Sequence, residues 1–241
     1  MKPRLDRWLV DQGLADTREK AQALIMAGEV LIDGQRASKA GQSVPEGAHI
    51  EVTAKMRYVG RGGLKLEGAL QHFQIDVTGF VCADFGSSTG GFTDCLLQAG
   101  AARVHAIDVG TGQLDWKLRG DPRVRVHEGV NARYLELADI GEPVDIAVCD
   151  VSFISATLIL PAMVRVLKPD SGVLIVLVKP QFEVGKGQVG KGGIVRDPAQ
   201  HTEACEKLLA CVSERGFLTG IMESPIKGAE GNKEFLLYGR R

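Results

Sequence analysis

The sequence has no surplus of positive charge. Its 29 Lys and Arg stand against 30 Asp and Glu, a formal net charge of -1, so any affinity for nucleic acid has to come from locally arranged charge. A long hydrophobic run is also missing. The longest, 172–178, falls far short of the about 20 residues that span a bilayer and has the length of a strand buried on both faces. Aromatic residues make up only 5%, but a hydrophobic content of 44% excludes disorder and describes an ordinary globular protein. The five cysteines, Cys82, Cys95, Cys149, Cys205 and Cys211, are odd in number and have no C-x-x-C spacing. That excludes a disulfide framework, makes zinc a poor reading, and fits reduced core residues of a cytoplasmic protein. The charged start around Lys2, Arg4 and Arg7 is not followed by an apolar segment, so no secretory signal is expected.

A length of 241 residues accommodates one large α/β domain, or one domain plus a small module. The chain reads as the second. Leu5, Trp8 and Leu9 share one helical face, and Ala21, Leu24 and Ile25 share another behind a cap at Asp16 or Thr17. Two short strands follow at 30–32 and 50–52, with turns at Asp33-Gly34 and 45–47. These features predict a small α+β module over 1–55, and the glycines of 60–63 end a linker over 56–63.

From 64 to 241 the pattern changes to alternation. A helix over 64–73 presents Leu66, Ala69, Leu70 and Phe73 on one face. Strand-like runs at 80–84, 104–108, 144–150 and 173–178 alternate with helical stretches near 91–99, 114–119, 156–167 and 199–215. Such alternation predicts a parallel sheet covered by helices on both faces. The closing pair, 217–223 and 234–238, is joined by a loop alone and can pair antiparallel.

Residues 83–93 form a glycine-rich turn between a strand and a helix. Gly86 and Gly91 have the spacing of a phosphate-binding P-loop, but Phe92 stands where the lysine would be, which argues against a triphosphate. Asp84 at the strand end, the small residues Gly86, Ser87, Ser88, Gly90 and Gly91, and a helix N-terminus remain. They suit a ligand with an amino-acid head and an adenosine tail, such as S-adenosylmethionine. Asp108, about 20 residues on at the end of the second strand, has the position of an acid that takes ribose hydroxyls, although an NAD-binding fold would carry one there too. G-x-G-x-x-G itself is absent. An ordinary tight turn, with Asp108 as a capping residue, is the plainer alternative.

Two lysines occupy unusual places. Lys179 leaves the apolar strand 174–178 at the ligand edge of the sheet and precedes Pro180, where desolvation favours a neutral amine that can act as a general base. Asp150 ends the neighbouring strand, Lys65 lies at the start of the helix before the glycine loop, and Glu234 begins the last strand. Taken singly, Lys65 and Glu234 read as surface ion-pair residues.

Together these residues resemble known families. Arg4-Leu5-Asp6, Gly13-Leu14-Ala15, the run from Thr17 to Ala21, Gly28-Glu29-Val30 and Ile32-Asp33-Gly34 resemble an S-four type RNA-binding domain. That resemblance implies RNA contacts for Arg4, Arg18, Lys20 and Lys39, with Arg61 of the following motif beside them. Lys65, Asp150, Lys179 and Glu234 resemble the Lys-Asp-Lys-Glu tetrad of FtsJ-type ribose 2′-O-methyltransferases. With 61–66, 84–92, 149–155, 178–183 and 231–234, nearly the whole chain is similar to the TlyA-type ribosomal RNA methyltransferases, often labelled hemolysins.

The resemblance implies a Rossmann-like methyltransferase domain whose mostly parallel seven-stranded sheet ends in an antiparallel strand. It also implies S-adenosylmethionine as donor and a cytidine ribose of ribosomal RNA as acceptor. Asp84, Gly86, Ser87, Ser88, Gly90, Gly91, Phe92, Asp108, Asn131 and Asp150 would hold the donor. Lys179 would take the proton of the 2′-hydroxyl, with Lys65 discouraging protonation of the pair and the two acids holding the amines. No metal, DNA or membrane partner is expected. Membrane lysis would need an insertable apolar surface, which the sequence lacks. A non-catalytic RNA-binding or assembly factor would have no use for the complete tetrad. A second glycine-rich run, 185–193, lacks the Ser/Thr of a P-loop and reads as a mobile basic lid carrying Lys186, Lys191 and Arg196.

Overall fold

A computed structural model of the chain describes residues 3–52, 57–185, 187, 189–190, 192–228 and 231–241. It divides into two compact units, Met1–Arg61 and Gly62–Arg241.

In the first unit, helices α1 (Leu5–Asp11) and α2 (Arg18–Met26) pack together and are followed by strands β1 (Val30–Ile32), β2 (Gln35–Arg36) and β3 (Ile50–Val52). The strands form an antiparallel sheet in the order β2-β1-β3. The apolar spacing decides the packing: Leu5, Leu9, Ala21, Leu24 and Ile25 meet Val30 and Val44 in one small core. Of the two expected caps for α2 the structure uses Thr17, whose hydroxyl accepts from the Lys20 N–H at 3.2 Å. Asp33 and Gly34 both have positive φ (50° and 79°), the conformation that lets a two-residue turn follow the twist of β1 and β2.

The second unit opens with α3 (Gly62–His72) and continues through β4 (Val81–Phe85), α4 (Gly91–Gln98), β5 (Arg103–Asp108), α5 (Trp116–Arg119), β6 (Val124–Glu128), α6 (Leu137–Ile140) and β7 (Ile146–Cys149). After these come α7 (Leu160–Val166), β8 (Val173–Val178), α8 (Pro180–Glu183), α9 (Pro198–Ser213), β9 (Leu218–Glu223) and β10 (Phe235–Arg240). The seven strands lie in the order β6-β5-β4-β7-β8-β10-β9, with β10 antiparallel to both of its neighbours and the rest parallel. The expected α/β class and mostly parallel sheet are therefore present, with one strand, β6, that the apolar runs had not marked.

All six residues of β8 are buried, as its continuous apolar sequence requires. Neighbouring residues of a strand face opposite sides, and β10 shows both covers: Phe73, just past α3, stacks on Tyr238 at 4.8 Å, while Val212 of α9 lies against Gly239. The helix expected over 156–167 is divided into a 3-10 turn, Ala156–Leu158, and α7, in whose first turn Pro161 costs no hydrogen bond. Cys82, Cys95, Cys149 and Cys205 are buried, and burial pushes the Cys149 thiol up to about 12. No helix among the described residues is long and apolar enough to cross a membrane.

One polar cluster interrupts the sheet's apolar cover. His105 on β5 meets His127 on β6 at 3.0 Å and Glu142 at 3.3 Å, and Glu142 also pairs with Arg103. Burial is the main cause that pushes both imidazoles below their ordinary range. The unfolded chain therefore binds protons more readily, so the stability these rings contribute is complete above about pH 6.5 and is lost as the pH falls further. The margin in melting temperature between wild type and His105→Gln should shrink from pH 8 to pH 5.5. A margin that does not change with pH would show that the pair does not titrate in this range.

Candidate active site

The glycine loop follows β4 directly, and two of its glycines are dictated by close approach. At Gly86 (φ +83°) a Cβ would lie 2.9 Å from the Asp150 carbonyl oxygen, because β4 and β7 run side by side up to Phe85 and Cys149. At Gly90 (φ +98°), which caps α4, a Cβ would meet Leu118 at 2.2 Å. The N–H groups of Gly86 and Ser87 both donate to the carbonyl of Ile107, tying the loop to the end of β5. Asp108 braces it further: its Oδ2 accepts from the Ser88 N–H and its Oδ1 from the Gly110 N–H, both at 2.7 Å. Asp108 thus organises the backbone of the loop, and carboxylate oxygens that each accept one bond retain capacity for another. Asn131 follows Val130, whose N–H donates to the Asp108 carbonyl, and its own side chain caps the 3-10 turn Ala132–Tyr134.

Asp84 is fully buried. Its Oδ2 accepts from the Thr93 hydroxyl at 2.7 Å, whereas Oδ1 has no partner. Burial raises this carboxyl to about 7 against the opposing effect of Thr93, with Asp150 adding to the rise. Oδ1 is thus a buried carboxylate oxygen without a hydrogen-bond partner among the described residues, and Asp84 is not among the residues that line the cleft beside the glycine loop.

The four strand-edge residues form two ion pairs. Lys179, just after β8, meets Asp150 Oδ1, just after β7, at 2.6 Å. Lys65, one turn into α3, meets Glu234 Oε2 at 2.6 Å, and both residues of this second pair are buried. Continuing the antiparallel register Phe235↔Val178 by one step sets Glu234 alongside Lys179, so both pairs gather at one end of the sheet. A Cβ on Gly228 would lie 2.6 Å from Glu234 Oε1, so a side chain there would compete for the space of this carboxylate. One cleft is lined by Gly62, Gly86, Ser87, Ser88, Thr89, Gly91, Phe92, Asp150, Ser152 and Lys179. It joins the glycine loop to the Lys179–Asp150 pair, whereas Lys65 and Glu234 are not among its lining residues.

Three neighbours were not singled out from the sequence. Thr93 reaches Asp84 from the first turn of α4, nine residues away. The Ser152 hydroxyl accepts from the Lys179 Nζ at 2.7 Å. Phe153 is 92% exposed, takes the left-handed conformation (φ 66°), and sits 5.4 Å from the ring of Phe182. Ser152 and Phe153 directly follow Asp150-Val151, so adjacency to a candidate acid was their signal.

The second glycine-rich run is anchored at its downstream end rather than free. Asn232 is buried, accepts from the Val195 N–H at 3.0 Å and donates to the Gly193 carbonyl at 2.9 Å, and Val195 is itself buried. The mobile-lid reading therefore does not extend over 193–195. Lys186 and Lys191 lie outside the described residues.

Comparison with known proteins follows the same division. A model of FtsJ-like methyltransferases matches residues 58–241, and a model of the S4 domain matches residues 3–50. The chain belongs to the FtsJ-like methyltransferase family. It is 47% identical to the 16S/23S rRNA (cytidine-2′-O)-methyltransferase TlyA of Mycobacterium tuberculosis, over 99% of this chain and 90% of that one. It is 40% identical to Hemolysin A of Brachyspira hyodysenteriae, over 98% of each. A solved structure from Streptococcus thermophilus covers all of this chain and is itself covered to 88%, with a TM-score of 0.78 and 46% identity.

The FtsJ-like unit is preceded by the S4 domain, in which one buried carboxylate organises two arginines. Asp6 accepts from Arg4 Nε and Nη2, from Arg18 Nε and from Gln22 Nε2, all at 2.9–3.0 Å. These bonds, that of Arg4 first, hold the Asp6 carboxyl well below the usual carboxylate range. Lys20 pairs with Asp16, Lys39 is exposed, and Arg61 is half-buried just ahead of α3.

For Asp84 the sign of the pH effect is opposite to that of the histidines. A carboxyl raised from about 4 to about 7 leaves the folded state stabilised below the lower value and progressively less so up to the higher. Asp84→Asn should therefore be more stable than wild type at pH 8, by about 1–3 kcal/mol after the amide's own unmet hydrogen bond is deducted, with the gain vanishing toward pH 4. Chemical denaturation at the two pH values measures this.

Proposed function

We propose that this protein transfers a methyl group from S-adenosylmethionine to the ribose 2′-hydroxyl of a cytidine in ribosomal RNA, with the S4 domain docking the RNA. The observation that carries the reading is the Lys179–Asp150 pair beside a glycine loop, in one cleft of an FtsJ-like unit. Curated relatives bearing the rRNA (cytidine-2′-O)-methyltransferase name support the choice of acceptor.

The residues present suit this donor. Asp84 offers a buried oxygen without a partner to an amino group, Gly86 and Gly90 keep the loop free of side chains, and Asp108 has remaining acceptor capacity for ribose hydroxyls. Asn131 and the loop residues Ser87, Ser88, Gly91 and Phe92 complete the proposed donor set. When bound, S-adenosylmethionine supplies a methyl carbon on a sulfonium sulfur, which the hydroxyl oxygen attacks as the carbon–sulfur bond breaks.

Lys179 is ion-paired with Asp150 in the structure, so it serves as a base only after giving up a proton; it then takes the hydroxyl proton, and Asp150 stabilises the ammonium that re-forms. Ser152 holds the Lys179 Nζ in direction through its hydroxyl. Lys65 and Glu234 act as a buried pair that sets the electrostatic surroundings of that transfer. Exclusion of water and alignment of the hydroxyl with the methyl group carry much of the rate. The exposed Phe153 offers a stacking face for an RNA base beside the reacting ribose. In the S4 domain Arg4 and Arg18, braced by Asp6, face RNA phosphates together with Lys20, Lys39 and Arg61.

Incubation of ribosomal subunits with labelled donor should give ribose-methylated cytidine, and no label in either subunit would refute the proposal. Lys179→Ala should lose more than about 100-fold in transfer rate while still binding donor, as expected when a general base is removed. Normal turnover in that variant would take the role from Lys179. Asp6→Ala frees both arginines and should weaken RNA binding about tenfold, an effect of lost preorganisation, with donor affinity unchanged. Filter binding of rRNA fragments and calorimetry with the donor test the two halves of that statement.

A further inference from the structure

The segment carrying Asp150, Ser152 and Phe153 cannot hold its own shape. Phe153 sits in the left-handed region, which a bulky side chain avoids unless its surroundings impose it, and its ring is almost wholly exposed. The upstream end is fixed by the sheet, where the Asp150 N–H donates to the Phe85 carbonyl at 3.0 Å. The downstream end is fixed by a carboxylate that belongs to none of the four strand-edge residues.

That carboxylate is Glu183, the last residue of α8, whose side chain is 2% exposed. Its Oε2 accepts from the Ser155 hydroxyl at 2.6 Å and from Lys207 Nζ at 3.1 Å, and its Oε1 accepts from the Ala156 N–H at 2.7 Å. Lys207, on α9, also donates to the Glu183 carbonyl at 3.0 Å. One buried group therefore joins the segment after β7, the turn after β8 that begins with Lys179, and the covering helix. Three donors are shared between two oxygens, a demand that a carboxylate meets and a neutral amide, with one acceptor oxygen, does not.

We infer that Glu183 is a positioning residue for methyl transfer: by holding Ser155 and Ala156 against the turn that carries Lys179, it sets the Ser152–Lys179 hydrogen bond and the left-handed Phe153. The inference rests on the methyltransferase reading above. Glu183 itself bonds to Ser155, Ala156 and Lys207 and not to the glycine loop, so its removal is expected to act on the transfer step more than on donor binding.

The test compares wild type, Glu183→Gln, Ser152→Ala and the double variant on ribosomal subunits, with kcat referred to the concentration of donor-binding sites. Glu183→Gln should bind donor as wild type does and keep its KM for the RNA within about twofold, while kcat falls about 10–100-fold, the scale of a small misplacement of reacting groups. The double variant should be no slower than Glu183→Gln alone, because both changes break the same hydrogen bond. A merely structural role would lower the melting temperature and the number of donor-binding sites but leave kcat per site intact. That result, or effects that multiply in the double variant, overturns the inference. Should Glu183→Gln fail to fold, Ser155→Ala carries the same comparison with an expected loss of about 3–10-fold in kcat, and an unchanged kcat there overturns it equally. An inactive wild type defeats the methyltransferase reading and this inference with it. An active wild type with an unimpaired Glu183→Gln defeats the inference alone.

Discussion

An ammonium group taken out of water needs a carboxylate within reach, and the second unit has to meet that demand twice at one end of its sheet. Lys65 is matched by Glu234 and Lys179 by Asp150, and each acid arrives from a different element than the lysine it serves, Lys65 from the helix α3 and Lys179 from the end of β8. Buried pairs of this kind seldom add net stability, since the loss of hydration offsets most of the attraction. The surrounding apolar strands, β8 above all, supply the stability that lets the pairs exist. Strand order and register are therefore part of the chemistry. A shift of one residue between β8 and β10 would turn Glu234 to the opposite face and leave Lys65 without a partner.

The same economy runs through the backbone. Gly86 and Gly90 are glycine because strand and helix come too close for any side chain. Ser88 and Phe153, by contrast, have side chains and still adopt left-handed conformations, at φ 46° and 66°. Both lie beside the cleft, and both are held by neighbours: Ser88 through Asp108, and Phe153 between the end of β7 and the Glu183 network. Strain of this sort persists only where the surrounding structure over-determines it.

Much of this could be read in the sequence, and the parts that could not share a cause. The strands with continuous apolar runs, the glycine loop and the acids at strand ends all leave a local signature. β6 does not: its sequence, Val-Arg-Val-His-Glu, lies at a sheet edge, where polar side chains are tolerated and the apolar run is broken. Nor could the sequence tell which acid serves which lysine, because the pairing depends on how β10 aligns with β8. Asp108, read as a ribose ligand or a cap, also braces the loop, which only the positions of Ser88 and Gly110 reveal. Thr93 and Glu183 lie within the runs 83–93 and 178–183, but their roles rest on contacts that only the fold shows, nine residues away for Thr93 and 27–28 for Glu183.

The position of β10 has a consequence for how the protein becomes competent. It is inserted between β8 and β9, although it follows β9 in the chain, and the residue just before it is Glu234. A nascent chain that has emerged as far as α9 already contains the glycine loop, Asp150 and Lys179. It still lacks the partner of Lys65 and the strand that closes the sheet. The glycine loop and both members of the Lys179–Asp150 pair are thus present on the growing chain well before the carboxylate that Lys65 needs has been synthesised.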